Sequence, residues 1–406
     1  MGPIRSIVRC CGDSEGDAVT LKVKFHSLTG RIDPELMLAA FKAVRRNRGA
    51  AGVDKVSIEM FEANLDQNLL ALMRQLKEGS YQPLPARRVY IEKGGGKLRS
   101  LGIPAVRDRV AQEVLRRLLD PCFEPTFHDC SFGFRKGRNC HQAVEKLKEL
   151  QRLGYRYVLD ADVQGFFDHL CHSVLMQQLA LAIADGNILN LAAKCLTAGV
   201  LEEGTVRPTK EGTPQGGVIS PLFSNVVLNL LDHHLERLGF CFVRYADDFV
   251  VLTKTQARAE EALLCVEAFL RNELGLQLAP DKTRVTTFKK GFDFLGFRLG
   301  SGNAKMRDKA VVRFKDKVRE ITRRHRNLDA QVIVRLNRLV RGTANYFAAG
   351  FATVVDQFDR LDRWLRMRIR SMKFKRRSKA DNRRLWNKHL LRMGLLSLKP
   401  LAASAR

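Results

Sequence analysis

The sequence predicts an α+β chain, and three observations carry that prediction. Phe240 to Leu252 reads FCFVRYADDFVVL, two apolar and β-branched runs around Tyr245-Ala246-Asp247-Asp248, which is the pattern of a strand hairpin. Other strand-like runs, Arg87 to Ile91, Leu98 to Ile103, Tyr157 to Val163, Thr283 to Thr287 and Phe292 to Leu299, are set among helical stretches. After Gly300 the pattern turns helical: Val311, Phe314, Val318 and Ile321, then Val354, Phe358, Leu361 and Leu365, recur at spacings of three and four under a cover of Arg and Lys.

Length and composition bound the possibilities. The chain has 406 residues, 45% of them apolar, enough for two or three domains with a real core. No apolar run reaches the length of a membrane span. Nine cysteines, none in a C-x-x-C pair, read as reduced thiols in a cytoplasmic protein. His169, Cys171 and His172 are too compressed for tetrahedral zinc spacing. The net charge is +27, and residues 303–406 alone carry 29 Lys and Arg against 8 Asp and Glu. Charge concentrated in this way points to a long polyanion, nucleic acid first and an anionic membrane surface second.

In chain order, Met1 to Thr20 carries no periodic pattern and reads as an unstructured leader. Asp33 and Pro34 open a helix to Asn47, with Leu36, Ala40 and Val44 on one face. Gly52-Val53-Asp54 turns into a second helix, Ser57 to Glu78. The strands at Arg87 and Leu98 flank Gly94-Gly95-Gly96, whose amides, with Lys93, Lys97 and Arg99, suit a phosphate. A helix follows from Val106 to Leu119. Cys130 to Arg138 then interleaves aromatics with cations, a pattern that suits a base and a phosphate together. In the strand Tyr157 to Val163, Asp160 and Asp162 share a face, and Asp162, nearer the exit, is the better metal ligand. Gly212 to Gly217 opens a loop whose glycines allow a close backbone approach to a base or sugar, ahead of a helix to Leu231. A helix from Arg258 to Leu274 follows the hairpin.

The chemistry centres on the carboxylates. Asp247 and Asp248 at a hairpin tip read either as a plain polar turn or as ligands of a divalent ion, since adjacent buried carboxylates need neutralising. Asp162 supplies a third ligand from a strand that a sheet can place alongside. Three such carboxylates would hold two Mg2+ ions roughly 3.5–4 Å apart, a site that joins or cuts phosphodiesters.

Several blocks in order resemble the group II intron-encoded reverse transcriptases (maturases) and their bacterial group II-like relatives. They are Asn47 to Asp54, Lys97 to Asp108 (KLRSLGIPAVRD), Ser131 to Gly137 (SFGFRKG), Asp160 to Asp168 and Gly212 to Asn225 (GTPQGGVISPLFSN). The hairpin, Asp281-Lys282, Phe294 to Phe297 and Arg341 to Phe347 complete the series, so the resemblance covers nearly the whole chain. It implies a right-hand polymerase, with fingers and an antiparallel-sheet palm, followed by a basic helical thumb and maturase region. The expected division is a poorly ordered leader (1–21), an N-terminal helical extension (22–84), fingers and palm (85–300) and an RNA-binding thumb (301–406).

Carried over by position, Asp162, Asp247 and Asp248 would be the catalytic metal ligands for two Mg2+ ions, with Mn2+ able to substitute. Lys93 and Arg99 would meet the incoming deoxynucleoside triphosphate. Phe166 or Phe167 would lie under its sugar, Gln215 and Tyr245 would line its pocket, and Lys282 falls in a family block beside it. Phe294 to Leu299 would grip the primer, and Arg45 to Arg48 would touch the template. Glu92 and Ser100 stand where the family carries Pro, and Thr343 where Trp is frequent. No C-x-x-C or His-Asn-His endonuclease module follows, which implies another source of primer. The function implied is RNA-directed DNA synthesis in a bacterial cytoplasm, on an RNA template and DNA primer, with structured group II intron RNA as a further partner. The alternatives are a relative domesticated for phage defence or DNA repair, and a protein that is mainly a splicing cofactor.

Overall fold

A computed structural model of the chain describes residues 24–94, 97–323 and 327–403; the expected leader lies outside them. Its strands are β1 (Ala86–Gly94), β2 (Lys97–Ile103), β3 (Tyr157–Asp162), β4 (Val200–Glu202), β5 (Thr205–Arg207), β6 (Cys241–Tyr245), β7 (Asp248–Thr253), β8 (Arg284–Thr287), β9 (Phe292–Phe294), β10 (Phe297–Gly300) and β11 (Asn303–Met306). They form three sheets, of order β2-β1-β4-β5, β6-β7-β3-β8 and β11-β10-β9, among many helices, so the α+β expectation holds. The chain divides into two compact units, one within Met1–Asn139 and Leu159–Val285, the other Cys140–Val158 and Thr286–Arg406.

In the first unit, the helix Pro34–Asn47 forms because Asp33 accepts a hydrogen bond from the Leu36 amide at 2.8 Å and Pro34 supplies a helical φ where no amide is needed. It buries Met37, Ala40, Phe41 and Val44. The expected helix Ser57 to Glu78 is instead two, Ile58–Ala63 and Leu65–Glu78, because Asn64 leaves helical geometry (φ −125°, ψ 45°). Val106–Phe123 runs a turn further than its periodicity implied, and it is buried nearly all round. Its Asp108 is structural: it accepts from the Tyr81 hydroxyl at 2.7 Å and the Leu84 amide at 3.0 Å. The block after Asn47 is fastened to the same helix. Arg109, buried, donates to the carbonyls of Arg48 (3.3 Å) and Ala50 (2.7 Å), and a Cβ on Gly52 would stand 2.5 Å from the Ala105 backbone. The short β4–β5 hairpin was not anticipated, because three-residue strands carry too little pattern.

In the second unit, the apolar run Phe292 to Leu299 is two strands rather than one. Leu295 (φ 46°) and Gly296 (φ 83°) take left-handed backbone and turn β9 back on β10. Tyr346 closes the turn: its hydroxyl donates to the Leu295 carbonyl at 2.8 Å, and its ring stacks on Phe297 with centroids 5.8 Å apart. Two of the family-like blocks therefore pack on each other. The helices Asp308–Ile321, Ala330–Phe347 and Val355–Lys373 bury the apolar stripes read from the sequence, with Phe314, Val318, Ile321, Phe358, Leu361 and Leu365 inside. Buried Asp362 accepts from the amides of Leu398 (2.8 Å) and Lys399 (3.0 Å), which anchors the helix Leu398–Ala403. The helix Cys140–Arg152 also belongs to this unit and was not anticipated.

Candidate active site

The hairpin pairs Cys241 with Leu252 through to Tyr245 with Asp248, which leaves Ala246 and Asp247 as the turn. Ala246 takes φ 59°, a left-handed conformation that a residue with a Cβ adopts only when its surroundings impose it. Those surroundings are specific. Arg244, 0% exposed, donates to the Ala246 carbonyl at 3.0 Å and to Asn225 Oδ1 at 2.9 Å, and forks onto buried Asp232 at 2.7 and 2.5 Å. Asn225 in turn donates to the Gly133 carbonyl at 2.9 Å. Cys130 to Phe132 bond along β6, with the Arg244 amide donating to the Cys130 carbonyl and the Phe132 amide to the Arg244 carbonyl, each at 2.9 Å. Gly133 then lies flat on the turn, where a Cβ would come within 2.2 Å of the Ala246 nitrogen. The sequence marked this loop for aromatics and cations and missed its role as a brace. An arginine inside an apolar strand was the available signal, since a buried charge requires a partner.

Asp162 ends β3, which neighbours β7 in the sheet, and so reaches the hairpin tip. Its carbonyl accepts from the Ala279 amide at 2.8 Å, and the turn after Ala279 brings the Lys282 ammonium onto its carboxylate. Loss of solvation, then the charges of Asp247 and Asp162, push the Asp248 carboxyl up to about 7, and a hydrogen bond with Asp162 favours its protonated form. Asp247 is raised by desolvation and by Asp162, against the pull of Arg99 and Lys282. The hydrogen bond to Asp162 holds Lys282 firmly protonated. Asp160 faces Arg284 at 3.3 Å. Among the described residues, no three Asp, Glu, His or Cys side chains surround a common point as metal ligands do; Lys282 is the cation that Asp162 meets here.

The loop from Gly212 to Gly217 is built against β2. The Gly102 amide donates to the Gln215 carbonyl at 3.0 Å, and Arg99 Nε donates to Gln215 Oε1 at 2.7 Å, so two residues read separately from the sequence meet. Gly216 (φ 117°) lies where a Cβ would stand 2.8 Å from the Gly102 carbonyl. On the other side, the amides of Gly212 and Thr213 donate to the carbonyls of Leu170 (2.8 Å) and Phe167 (2.7 Å). Of the two candidate phenylalanines, Phe166 is 1% exposed in the core, while Phe167 is half-buried with its ring edge-on to Phe166 at 5.5 Å. Phe166 has no surface to offer, whereas part of the Phe167 ring is open to a neighbour. The side chains of Lys93 and Lys97, with Gly95 and Gly96, lie outside the described residues.

Residues 91–299 match the family described as reverse transcriptase (RNA-dependent DNA polymerase), and residues 311–392 match the group II intron maturase-specific domain. The chain belongs to the reverse transcriptases of group II introns. This reverse transcriptase is 37% identical over 306 residues to protein YkfC of Escherichia coli, covering 66% of this chain and 80% of that one. It is 27% identical over 427 residues to the group II intron-encoded protein LtrA of Lactococcus lactis, covering 80% and 70%. The reverse transcriptase is an RNA-directed DNA polymerase, and its second matched region is of the kind that serves intron splicing. No helix among its described residues is long and apolar enough to cross a membrane.

Proposed function

We infer that DNA synthesis takes place at Asp162, Asp247 and Asp248, with two divalent ions, Mg2+ or in its place Mn2+, as cofactors. The observation that carries this reading is the sheet order, which sets Asp162, at the end of β3, beside β7 and the β6–β7 tip that bears Asp247 and Asp248. Carboxylate oxygens are hard, anionic donors of the kind that Mg2+ takes. Bound there, the ions would lower the pKa of the primer hydroxyl and stabilise the leaving phosphate oxygen. The chain's own groups would do the positioning. Arg99, with Lys93, would receive the triphosphate, Gln215 and Tyr245 would border the nucleotide, and Lys282 would stand as a proton-bearing cation beside Asp162. The division into a helical extension (22–84), fingers and palm (85–300) and thumb (301–406) goes with this reading. So do a DNA primer, deoxynucleoside triphosphates, and work in the bacterial cytoplasm. The test is primer extension on an RNA template by the full chain. Extension that needs Mg2+ and disappears in Asp247→Ala is expected; equal extension by both proteins overturns the assignment.

Phe167 would exclude the ribose 2′-hydroxyl. Phe167→Ala is expected to raise ribonucleotide incorporation by about tenfold or more. Phe166→Ala should instead cost about 3–5 kcal/mol of stability with no such selectivity change. A Phe167→Ala variant that still rejects ribonucleotides removes it from the pocket.

A second role has its own observation. The helices Asp308–Ile321 and Ala330–Phe347 expose Arg313, Lys317, Arg335, Arg338 and Arg341, in the region that matches the maturase-specific domain. We assign this face to structured group II intron RNA. With six or more phosphate contacts, affinity should fall by about a thousandfold or more between 50 and 200 mM salt. Filter binding with an intron RNA measures the slope, and a flat response removes the assignment.

A further inference from the structure

Phe134 stands apart from the rest of its loop. It takes φ 60°, a left-handed backbone that strains a residue with a Cβ, and its side chain is 53% exposed. Both neighbours are fixed. Gly133 is closed against the Tyr245–Ala246 peptide and held by Asn225. Arg135 is buried and donates to the carbonyls of His128 (2.7 Å) and Ser131 (2.8 Å) and to Glu124 at 2.9 Å. Between them residue 134 can only project outward. Glycine would meet that backbone without strain, so a phenylalanine there meets no demand of the local fold.

We propose that Phe134 is a nucleic-acid contact, a flat apolar surface that receives a base or sugar of the primer–template next to the reacting terminus. Three observations favour this occupant. The residue is one peptide away from the backbone contact with the catalytic hairpin, so a strand engaged at Asp247 and Asp248 passes beside it. Lys136, two residues on, is exposed with no carboxylate paired to it among the described residues, which adds a phosphate contact to an aromatic one. The run Phe134 to Arg138 also carries three cations and no carboxylate, a composition that suits a polyanion better than an apolar partner. The proposal rests on the hairpin being the site of synthesis.

The experiment uses the full chain and RNA-template/DNA-primer duplexes labelled with 2-aminopurine, at either the first unpaired template base or the primer end. Phe134→Gly is expected to weaken duplex binding about tenfold, the usual cost of losing one base–aromatic stack. Its thermal midpoint should be unchanged or raised, since glycine relieves the left-handed backbone. Phe134→Trp should retain binding. The label whose fluorescence changes on substitution identifies the strand. Unchanged affinity in Phe134→Gly, or a weakened affinity accompanied by a lowered midpoint, overturns the proposal. Asp247→Ala separates the two questions: it should bind the duplex as the wild type does and fail to extend it. If it extends, the hairpin assignment falls, whatever Phe134 does.

Discussion

Replacing Asp247 by alanine is expected to lower the rate of primer extension on the order of a thousandfold or more, the several kcal/mol of transition-state stabilisation that a metal site supplies. The fold should survive, and thermal stability should rise rather than fall. Asp247 lies in a turn, and its charge is opposed by Asp162 and Asp248 while desolvation adds to the cost. Removing one of three mutually repelling carboxylates relieves that cost in the absence of ions. A midpoint measured in a chelating buffer and again in Mg2+ reads both effects: the wild type should gain stability from the ion and the variant should not. A variant that loses activity because it unfolds would show a lowered midpoint in chelator, which would remove the reading of Asp247 as a ligand.

Arg244 should produce the largest loss of stability. Its guanidinium and the Asp232 carboxylate are 0% and 1% exposed, so Arg244→Met leaves a buried charge without a partner, at a cost of about 3–5 kcal/mol. Converting Asp232 to leucine in the same chain should restore most of that stability, since an apolar pair of similar volume is often neutral. Activity should not return with it. The Ala246 carbonyl and Asn225 lose their donor in either variant, and with it the constraint on the turn before Asp247. Urea denaturation and primer extension on both variants decide this. Full activity in the restored double variant would mean that Arg244 serves stability alone.

Much of this was readable from local signals. The hairpin announced itself by two β-branched runs around a polar turn, and Pro34–Asn47 by a capping aspartate before a proline. Where the sequence misled, a continuous apolar pattern concealed a break. Ile58, Phe61, Leu69, Leu72 and Leu76 keep a helical rhythm through Asn64, which nonetheless leaves the helix. Phe292 to Leu299 read as one strand although Gly296 stood inside it, and glycine in a strand interior is a sign of a bend. The brace around the hairpin was illegible for another reason. Arg244 finds Asp232 on the preceding helix, Ser220–Arg237, which runs past the expected end at Leu231, and Gly133 touches Ala246 across more than a hundred residues, and no periodicity links such positions. Phe166 and Phe167 are adjacent and identical in type, so only the packing of the segment they begin, Phe166–His169, could tell the buried ring from the half-exposed one.

If Arg99 and Gln215 receive the incoming nucleotide as proposed, the bond between them bears on how a substrate is chosen. Each side chain already holds the other, and the Gln215 carbonyl is tied to β2 through Gly102. A phosphate that took the Nε–H of Arg99 would free Gln215 Oε1 for a new donor. A correct nucleotide can satisfy both at once, with its phosphates on one side and its sugar or base on the other. A lone pyrophosphate bound at that Nε–H would satisfy only the first and leave Gln215 Oε1 without this donor. On the proposed assignment the pair would thus act as an interlock that favours a whole nucleotide over its fragments, before any chemistry begins.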